Sequence, residues 1–244
     1  MKRNLQPIYL FADSQLLFWS EAGRRFLDSI RQLVKRDSPQ AAYIGASNGD
    51  EPQFYSIFEA AMDAIGIHKR RMLLRSFSAE EQSFLREADI ILLAGGDVER
   101  GWNVFVETGM RESIIRRYDE GAVLMGISAG AVQLGLYGSI ERGASPAELL
   151  GMFKLVPFVI DAHDEARKWG RLRRAVGLLD GTAQGIGVPT GGGAIYYPDG
   201  RLEAIRYPLY QVSVEGGKSN DAWLLPKQAS VDKSERDALT DSAS

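Results

Sequence analysis

Ala122-Val-Leu-Met-Gly-Ile-Ser-Ala-Gly-Ala131 is an apolar run of strand character that ends in small residues able to begin a helix. A strand that turns abruptly into a helix around Ser128 needs small neighbours, because a nearby Cβ would collide with the turn. Gly126 and Gly130 remove that collision, so we expect the Ser128 hydroxyl to project above the sheet edge. The Ala129 N–H would then point at the oxygen of the group that Ser128 attacks. Short G-x-S-x-G matches also occur by chance, so this stretch alone leaves both a nucleophile and a turn without chemistry open.

Short apolar runs alternate with amphipathic segments on the N-terminal side of this stretch. The apolar runs are read as strands and occupy residues 7–12, 41–47, 72–74 and 89–94. The amphipathic segments are read as helices and occupy residues 19–34, 52–65, 79–88 and 104–118. Wholly apolar strands that alternate with helices indicate an α/β protein with a parallel sheet covered on both faces. The functional crevice of such a sheet lies outside the C-terminal ends of the strands, where Ser128 stands.

The C-terminal part of the sequence has a different pattern, without amphipathic helical segments between its apolar runs. Short strand-like runs separated by turns predict an antiparallel extension of the same domain, and they occupy residues 185–188, 194–197, 202–207 and 210–214. We therefore expect one α/β domain over residues 1–216 and a polar, partly disordered tail over residues 217–244.

The composition narrows the class of protein. The 244 residues carry a net charge of −3, which argues against nucleic-acid or anionic-membrane partners. The chain has no cysteine, which excludes disulfides and thiolate metal sites. It contains no apolar run of membrane-spanning length, and its start is not typical of a signal peptide, so we expect a cytoplasmic protein. Neither histidine has a second ligand at metal-site spacing, so no metal or cofactor is expected.

A serine nucleophile needs a base and usually an acid that orients the base. Of the two histidines, His68 lies in a basic, exposed segment, whereas His163 ends an apolar run at the same sheet edge as Ser128. Four carboxylates remain open as the orienting acid, namely Glu141, Glu148, Asp161 and Asp164. Gly95 and Gly96, at the end of a neighbouring strand, allow a bare backbone N–H to approach the site.

Several motifs in order carry a family resemblance: Leu93-Ala-Gly-Gly-Asp97, Gly126-Ile-Ser-Ala-Gly-Ala131, Leu155-Val-Pro-Phe158 leading to His163, Gly170-Arg-Leu172 and Gly185-Ile-Gly187. Together they look like the serine peptidase family of dipeptidase E and cyanophycinase. The resemblance implies a flavodoxin-like fold similar to class I glutamine amidotransferases, a three-layer sandwich with a mostly parallel sheet. Members of that family cleave peptide or isopeptide bonds next to aspartate.

The resemblance also implies roles for particular residues. Ser128 would be the nucleophile, His163 the base and Glu141 the acid of the triad, with a covalent acyl-enzyme. The oxyanion hole would be formed by Gly95, Gly96 and Ala129, and substrate would be contacted by Asp97, Asp161 and Arg167. The implied partner is an aspartate-containing peptide, and a homodimer is plausible by the same analogy.

Two other interpretations compete with a peptidase. An α/β-hydrolase or esterase uses the same G-x-S-x-G turn, but the chain has no His-Gly-Gly-Gly segment and its histidine comes early. The second competing interpretation is a non-catalytic binding or regulatory module of the same fold, because the basic cluster over residues 167–174 is able to contact anions.

Overall fold

The computed structural model describes residues 5–140 and 148–227. The described strands are β1 (Ile8–Phe11), β2 (Ser20–Glu21), β3 (Arg24–Arg25), β4 (Gln40–Ile44), β5 (Lys69–Leu73), β6 (Ile90–Leu93), β7 (Val123–Ile127), β8 (Tyr137–Ile140), β9 (Glu148–Gly151), β10 (Phe158–Ala162), β11 (Gln184–Val188), β12 (Gly193–Tyr196), β13 (Leu202–Ile205), β14 (Leu209–Glu215) and β15 (Lys218–Leu224). The described α-helices are α1 (Phe26–Leu33), α2 (Pro52–Ala64), α3 (Ala79–Glu87), α4 (Val98–Thr108), α5 (Met110–Asp119), α6 (Ala129–Leu134) and α7 (Gly170–Leu179).

The larger sheet has seven strands in the order β13-β12-β1-β7-β6-β4-β5. Five neighbouring strands of this sheet run parallel, namely β1, β7, β6, β4 and β5. Leu10 of β1 pairs with Gly126 of β7. The antiparallel strands β12 and β13 extend it beyond β1. The expected α/β class with a mostly parallel sheet and an antiparallel extension is therefore confirmed.

Both faces of the larger sheet are covered, which explains why its central strands are apolar throughout. Leu10 faces the apolar cluster that contains Phe105 of α4, whereas its neighbour Phe11 faces the cluster that contains Phe58 of α2. All four side chains are buried. Burying a side chain of this kind contributes roughly 1.5–3 kcal/mol, so the strand order is stabilised from both sides.

A smaller sheet of four strands, in the order β10-β11-β14-β15, packs beside the first. Strand β11 pairs parallel with β10, and β14 and β15 continue the sheet in antiparallel fashion. The four C-terminal runs are thus divided between two sheets: the second and third join the larger one. The expectation of a polar tail from residue 217 is wrong over Lys218–Leu224, because this segment pairs with β14 along its whole length. Residues 228–244 lie outside the described residues.

Two helix predictions need correction. The segment 19–34 is helical only from Phe26, because Ala22 and Gly23 have positive φ angles of 49° and 74° and form the turn of the β2–β3 hairpin. The helix expected over residues 104–118 is two helices, and the first already begins at Val98. Gly109, with a φ of 73°, separates them.

The remaining helix predictions agree with the structure. Helix α2 begins at Pro52, where the missing N–H is not needed. Helix α3 begins with the expected capping box, in which Ser78 Oγ accepts from Glu81 N and the Glu81 carboxylate accepts from Ser78 N. Over the residues that the structure describes, no helix combines the length and the apolar character needed to cross a bilayer.

Candidate active site

Ser128 lies at a sharp turn between β7 and α6. Its φ of 49° and ψ of −109° form a backbone conformation that non-glycine residues adopt at a cost of order 1–3 kcal/mol. Both neighbouring glycines are required by close contacts. A Cβ on Gly126 would lie 2.6 Å from Ala131 N, and one on Gly130 would lie 2.1 Å from the Leu93 carbonyl oxygen. The turn thus depends on the two residues that the G-x-S-x-G pattern singled out.

His163 lies next to Ser128, although the two residues follow strands of different sheets. Ser128 follows β7 of the larger sheet, and its N–H donates to Phe11 O at 2.9 Å. His163 follows β10 of the smaller sheet, and its N–H donates to Val188 O at 2.9 Å. The Ser128 Oγ and His163 Nε2 atoms are 2.7 Å apart. That distance suits transfer of the hydroxyl proton to the imidazole.

The candidates for the triad acid are separated by their surroundings. Glu141 lies outside the described residues, and Glu148 is exposed at the start of β9. Asp161 is buried, and its carboxylate accepts hydrogen bonds from Arg171 and from Ala162 N. Burial raises the pKa of the Asp161 carboxyl, and the hydrogen bonds and charge of Arg171 oppose that shift. Asp161 is therefore engaged with a guanidinium.

Two further acids follow His163 in the chain. Asp164 is buried, and the Arg167 guanidinium lies 3.7 Å from its carboxylate. Glu165 accepts a hydrogen bond from Thr190 N at 3.1 Å. Burial alone would raise the pKa of Glu165, but the hydrogen bonds from Thr190 and the charge of His163 bring it below its usual value. The carboxylate of Glu165 thus joins the loop after β10 to the loop after β11.

The predicted oxyanion-hole residues surround Ser128. Gly95 follows β6, and a Cβ on it would lie 3.3 Å from Ser128 Cβ. Gly96 has a φ of 135°, and a Cβ there would lie 2.2 Å from Ser47 O, so only glycine fits. Ala129 is the first residue of α6, where the N–H has no partner within the helix. The three residues are thus brought to the same end of the sheet as Ser128.

The three predicted substrate residues are not brought together. Asp97 caps α4, and its carboxylate accepts from Arg100 N at 2.7 Å. The Arg167 side chain is 82% exposed, and it does not line either of the cavities beside Ser128. Asp161 does line one of them.

Two cavities flank Ser128. The smaller one, of about 110 Å³, is lined by Asp161, Arg171, Ser139 and His163, among others. The larger one, of about 310 Å³, lies on the other side, toward α2. Arg171 was not singled out as a site residue by sequence reasoning, although it stands within the Gly170-Arg-Leu172 motif. In the part of the chain that the structure describes, no cluster of three or more His, Asp or Glu side chains is arranged to hold a metal ion.

Known proteins that resemble this chain in sequence or in fold are named as peptidases. The chain is 28% identical over 102 residues to the uncharacterized peptidase YgaJ of Bacillus subtilis (strain 168). That match covers 40% of this chain and 43% of YgaJ, so the chain matches less than half the length of this curated relative.

Two solved structures share the fold. A peptidase from an acI-B1 Actinobacterium superposes with a TM-score of 0.71 at 17% identity, covering 93% of this chain and 96% of the other. A putative peptidase E from Listeria monocytogenes EGD-e gives a TM-score of 0.59 at 16% identity, covering 83% and 98%. Residues 16–205 match Peptidase family S51, and this span includes the turn at Ser128 and His163. The chain therefore belongs to peptidase family S51.

Proposed function

We propose that this member of family S51 is a serine peptidase that works through an acyl-enzyme. The observation that carries the proposal is the 2.7 Å contact between Ser128 Oγ and His163 Nε2 at a strained, glycine-flanked turn. A hydroxyl within hydrogen-bond distance of an imidazole is the arrangement that generates a serine nucleophile. Membership of a peptidase family supports peptide bonds as the class of substrate.

In the proposed reaction, His163 takes the Ser128 proton while the oxygen attacks the scissile carbonyl. The backbone N–H groups of Ala129 and of Gly95 or Gly96 stabilise the resulting oxyanion, helped by the positive end of α6. His163 then protonates the leaving amine, and water hydrolyses the acyl-enzyme by the same base. Glu141 is the proposed acid that orients His163, on the strength of the family resemblance.

The proposed substrate is a peptide with an aspartate next to the scissile bond, and a homodimer is the oligomeric state that the resemblance supports. The resemblance supports this choice, and the smaller cavity supplies one feature that agrees with it. Arg171 lines that cavity beside Ser128, so its guanidinium is better placed than that of Arg167 to contact a substrate carboxylate. Arg171 already binds Asp161, so a substrate carboxylate would share the guanidinium with that residue.

A fluorophosphonate probe tests the nucleophile, and a panel of Asp-Xaa dipeptides, β-Asp-Arg and polymeric cyanophycin tests the reaction. We expect labelling at Ser128, and loss of several orders of magnitude in rate in Ser128→Ala and in His163→Ala, with little further loss in the double variant. His68→Ala is the matched control, since His68 is exposed and bonded only to Asp63 among the described contacts. Absence of labelling would favour a binding module, and labelling with ester hydrolysis alone would favour an esterase.

A further inference from the structure

The larger cavity beside Ser128 is built from apolar side chains. It lies between the turn after β1, the start of α2 and the ends of β4, β6 and β7. Its volume of about 310 Å³ is at the low end of the roughly 300–1,000 Å³ of small-molecule sites. Its large apolar lining residues include Leu17, Tyr43, Phe54, Ile57, Phe58 and Ile127.

The charges around this cavity disfavour an acidic ligand. Among the described residues that line it, none is lysine or arginine, the acidic side chain is Asp13, and the other titratable side chains are His163 and Tyr43. The Asp13 carboxylate is held in place by Gln15 N at 2.8 Å and Gly191 N at 2.7 Å. A second carboxylate entering the cavity would lose its hydration and meet a fixed negative charge. An aspartate side chain therefore suits the Arg171 side of Ser128 and not this one.

The walls of the cavity are buried and closely packed at its deep end and exposed at its rim. Tyr43 and Phe58 are buried and pack against each other with ring centroids 5.5 Å apart. The Tyr43 hydroxyl accepts from Asn48 Nδ2 at 3.0 Å, so its polar atom is already satisfied. Phe54 is 44% exposed and stands at the rim. A substrate side chain that covers Phe54 would remove apolar surface from water without leaving a polar group unpaired.

We propose that this cavity binds a large apolar side chain, aromatic or branched aliphatic, of the substrate residue on one side of the scissile bond. The inference rests on the proposed function, because the cavity reaches Ser128 and His163. It adds a second specificity element. The Arg171 side would select a substrate residue with a carboxylate, and the apolar cavity would select one with a large apolar side chain. Peptides that join an aspartate to a phenylalanine or leucine would satisfy both sides.

The test is a matrix of dipeptides and blocked tripeptides in which Phe, Leu, Ala or Asp occupies each side of the scissile bond. On one side, we expect kcat/KM to be at least about 10-fold higher for Phe or Leu than for Ala or Asp, because a single methylene in an apolar pocket is already worth about 10–200-fold. Phe54→Ala should reduce this ratio several-fold, and Phe54→Arg should shift it toward Asp. Phe18→Ala is the matched control, since Phe18 is 53% exposed and does not line the cavity. Ratios are compared because a general loss of rate cancels from them.

Binding of the same peptides to Ser128→Ala gives a readout that does not need turnover. Equal affinities and equal rates for Phe, Ala and Asp on both sides would overturn the inference, as would an unchanged ratio in Phe54→Ala. If the probe labels Ser128 and peptides are cleaved without this preference, the apolar site is wrong and the peptidase proposal stands. If Ser128→Ala binds apolar peptides selectively but the native protein neither labels nor cleaves, the peptidase proposal fails and the cavity assignment stands.

Discussion

Replacing Gly130 by alanine tests whether the contact between α6 and β6 holds Ser128, the proposed nucleophile, in place. In an ordinary helix this substitution stabilises the protein, because alanine has a higher helix propensity than glycine by about 1 kcal/mol. Here the new Cβ would lie 2.1 Å from the Leu93 carbonyl oxygen, and real Cβ atoms essentially never approach within 3.0 Å of a non-bonded heavy atom elsewhere in the chain. The first turn of α6 must therefore move away from β6 by about 1 Å.

The magnitude follows from what that turn carries. Overpacking of this kind costs typically 1–3 kcal/mol, so the sign of the stability change is reversed relative to an open helix. Ser128 and Ala129 directly precede Gly130, so a shift of about 1 Å displaces both the proposed attacking oxygen and a proposed oxyanion donor. A misplacement of that size costs about 100-fold in rate.

Gly177→Ala is the matched control, because Gly177 is also helical but a Cβ there would meet nothing within 4 Å. The assay combines urea unfolding with the rate of fluorophosphonate labelling at Ser128, which needs no knowledge of the natural substrate. We expect Gly177→Ala to be more stable by about 0.5–1 kcal/mol with unchanged labelling. Gly130→Ala should be less stable and slower. A Gly130→Ala protein that behaves like Gly177→Ala would refute the assigned role of this contact.

Two further predictions concern carboxylates. If Glu141 orients His163, Glu141→Gln should cut the rate of Ser128 labelling heavily with unchanged unfolding, whereas Glu148→Gln should leave it near the native value; the reverse result would move the role to Glu148. Because burial raises the folded-state pKa of Asp161 above 3.8, this carboxyl favours the folded state most below its unfolded-state pKa, and that advantage is lost as pH rises through the folded-state pKa. The unfolding free energy of the native protein minus that of Asp161→Asn should therefore decrease as the pH rises from 3 to 8. A difference that increases with pH would contradict the assignment.

The turn at Ser128 was predictable from sequence in part, because the contact that requires Gly126 is local, whereas the contact that requires Gly130 is with Leu93 of β6. Gly126 meets Ala131 and Gly130, so a local pattern records the constraint. The partner of Ser128 was found for a different reason: the chain has two histidines, and only His163 follows an apolar run. Their 2.7 Å contact joins residues of separate sheets, a relation that spacing along the chain does not encode.

Helix boundaries were less predictable, because apolar spacing does not reveal backbone φ. The segment 19–34 has helical spacing, but Ala22 and Gly23 adopt left-handed conformations and turn the chain into a hairpin. Gly109 likewise divides one apparent helix into two. Strand β15 was missed because its side chains are almost all exposed, and backbone pairing with β14 stabilises it without an apolar pattern.

The choice of arginine at the site also depends on backbone geometry. Arg167 and Arg171 are four residues apart, yet only Arg171 lines a cavity beside Ser128. Between them, Lys168 and Trp169 both have positive φ angles, of 53° and 58°, and turn the chain sharply before α7. Trp169 is buried against Gly187, where a Cβ would lie 2.6 Å from the indole. That packing directs Arg167 to solvent and Arg171 inward.

Because the proposed nucleophile Ser128 follows a strand of one sheet and the proposed base His163 follows a strand of the other, the rate of the proposed reaction depends on how firmly the two sheets are held together. Helix α6 links them, since it packs on β7 and the chain leaving it donates from Leu136 N to Phe158 O of β10 at 2.9 Å. A fluctuation that separates the sheets by even one ångström breaks the serine–imidazole contact while every strand remains paired. Heating or mild denaturant should therefore reduce the rate of Ser128 labelling before the protein unfolds. A ligand that contacts both Ser128 and His163 should stabilise the contact between the two sheets.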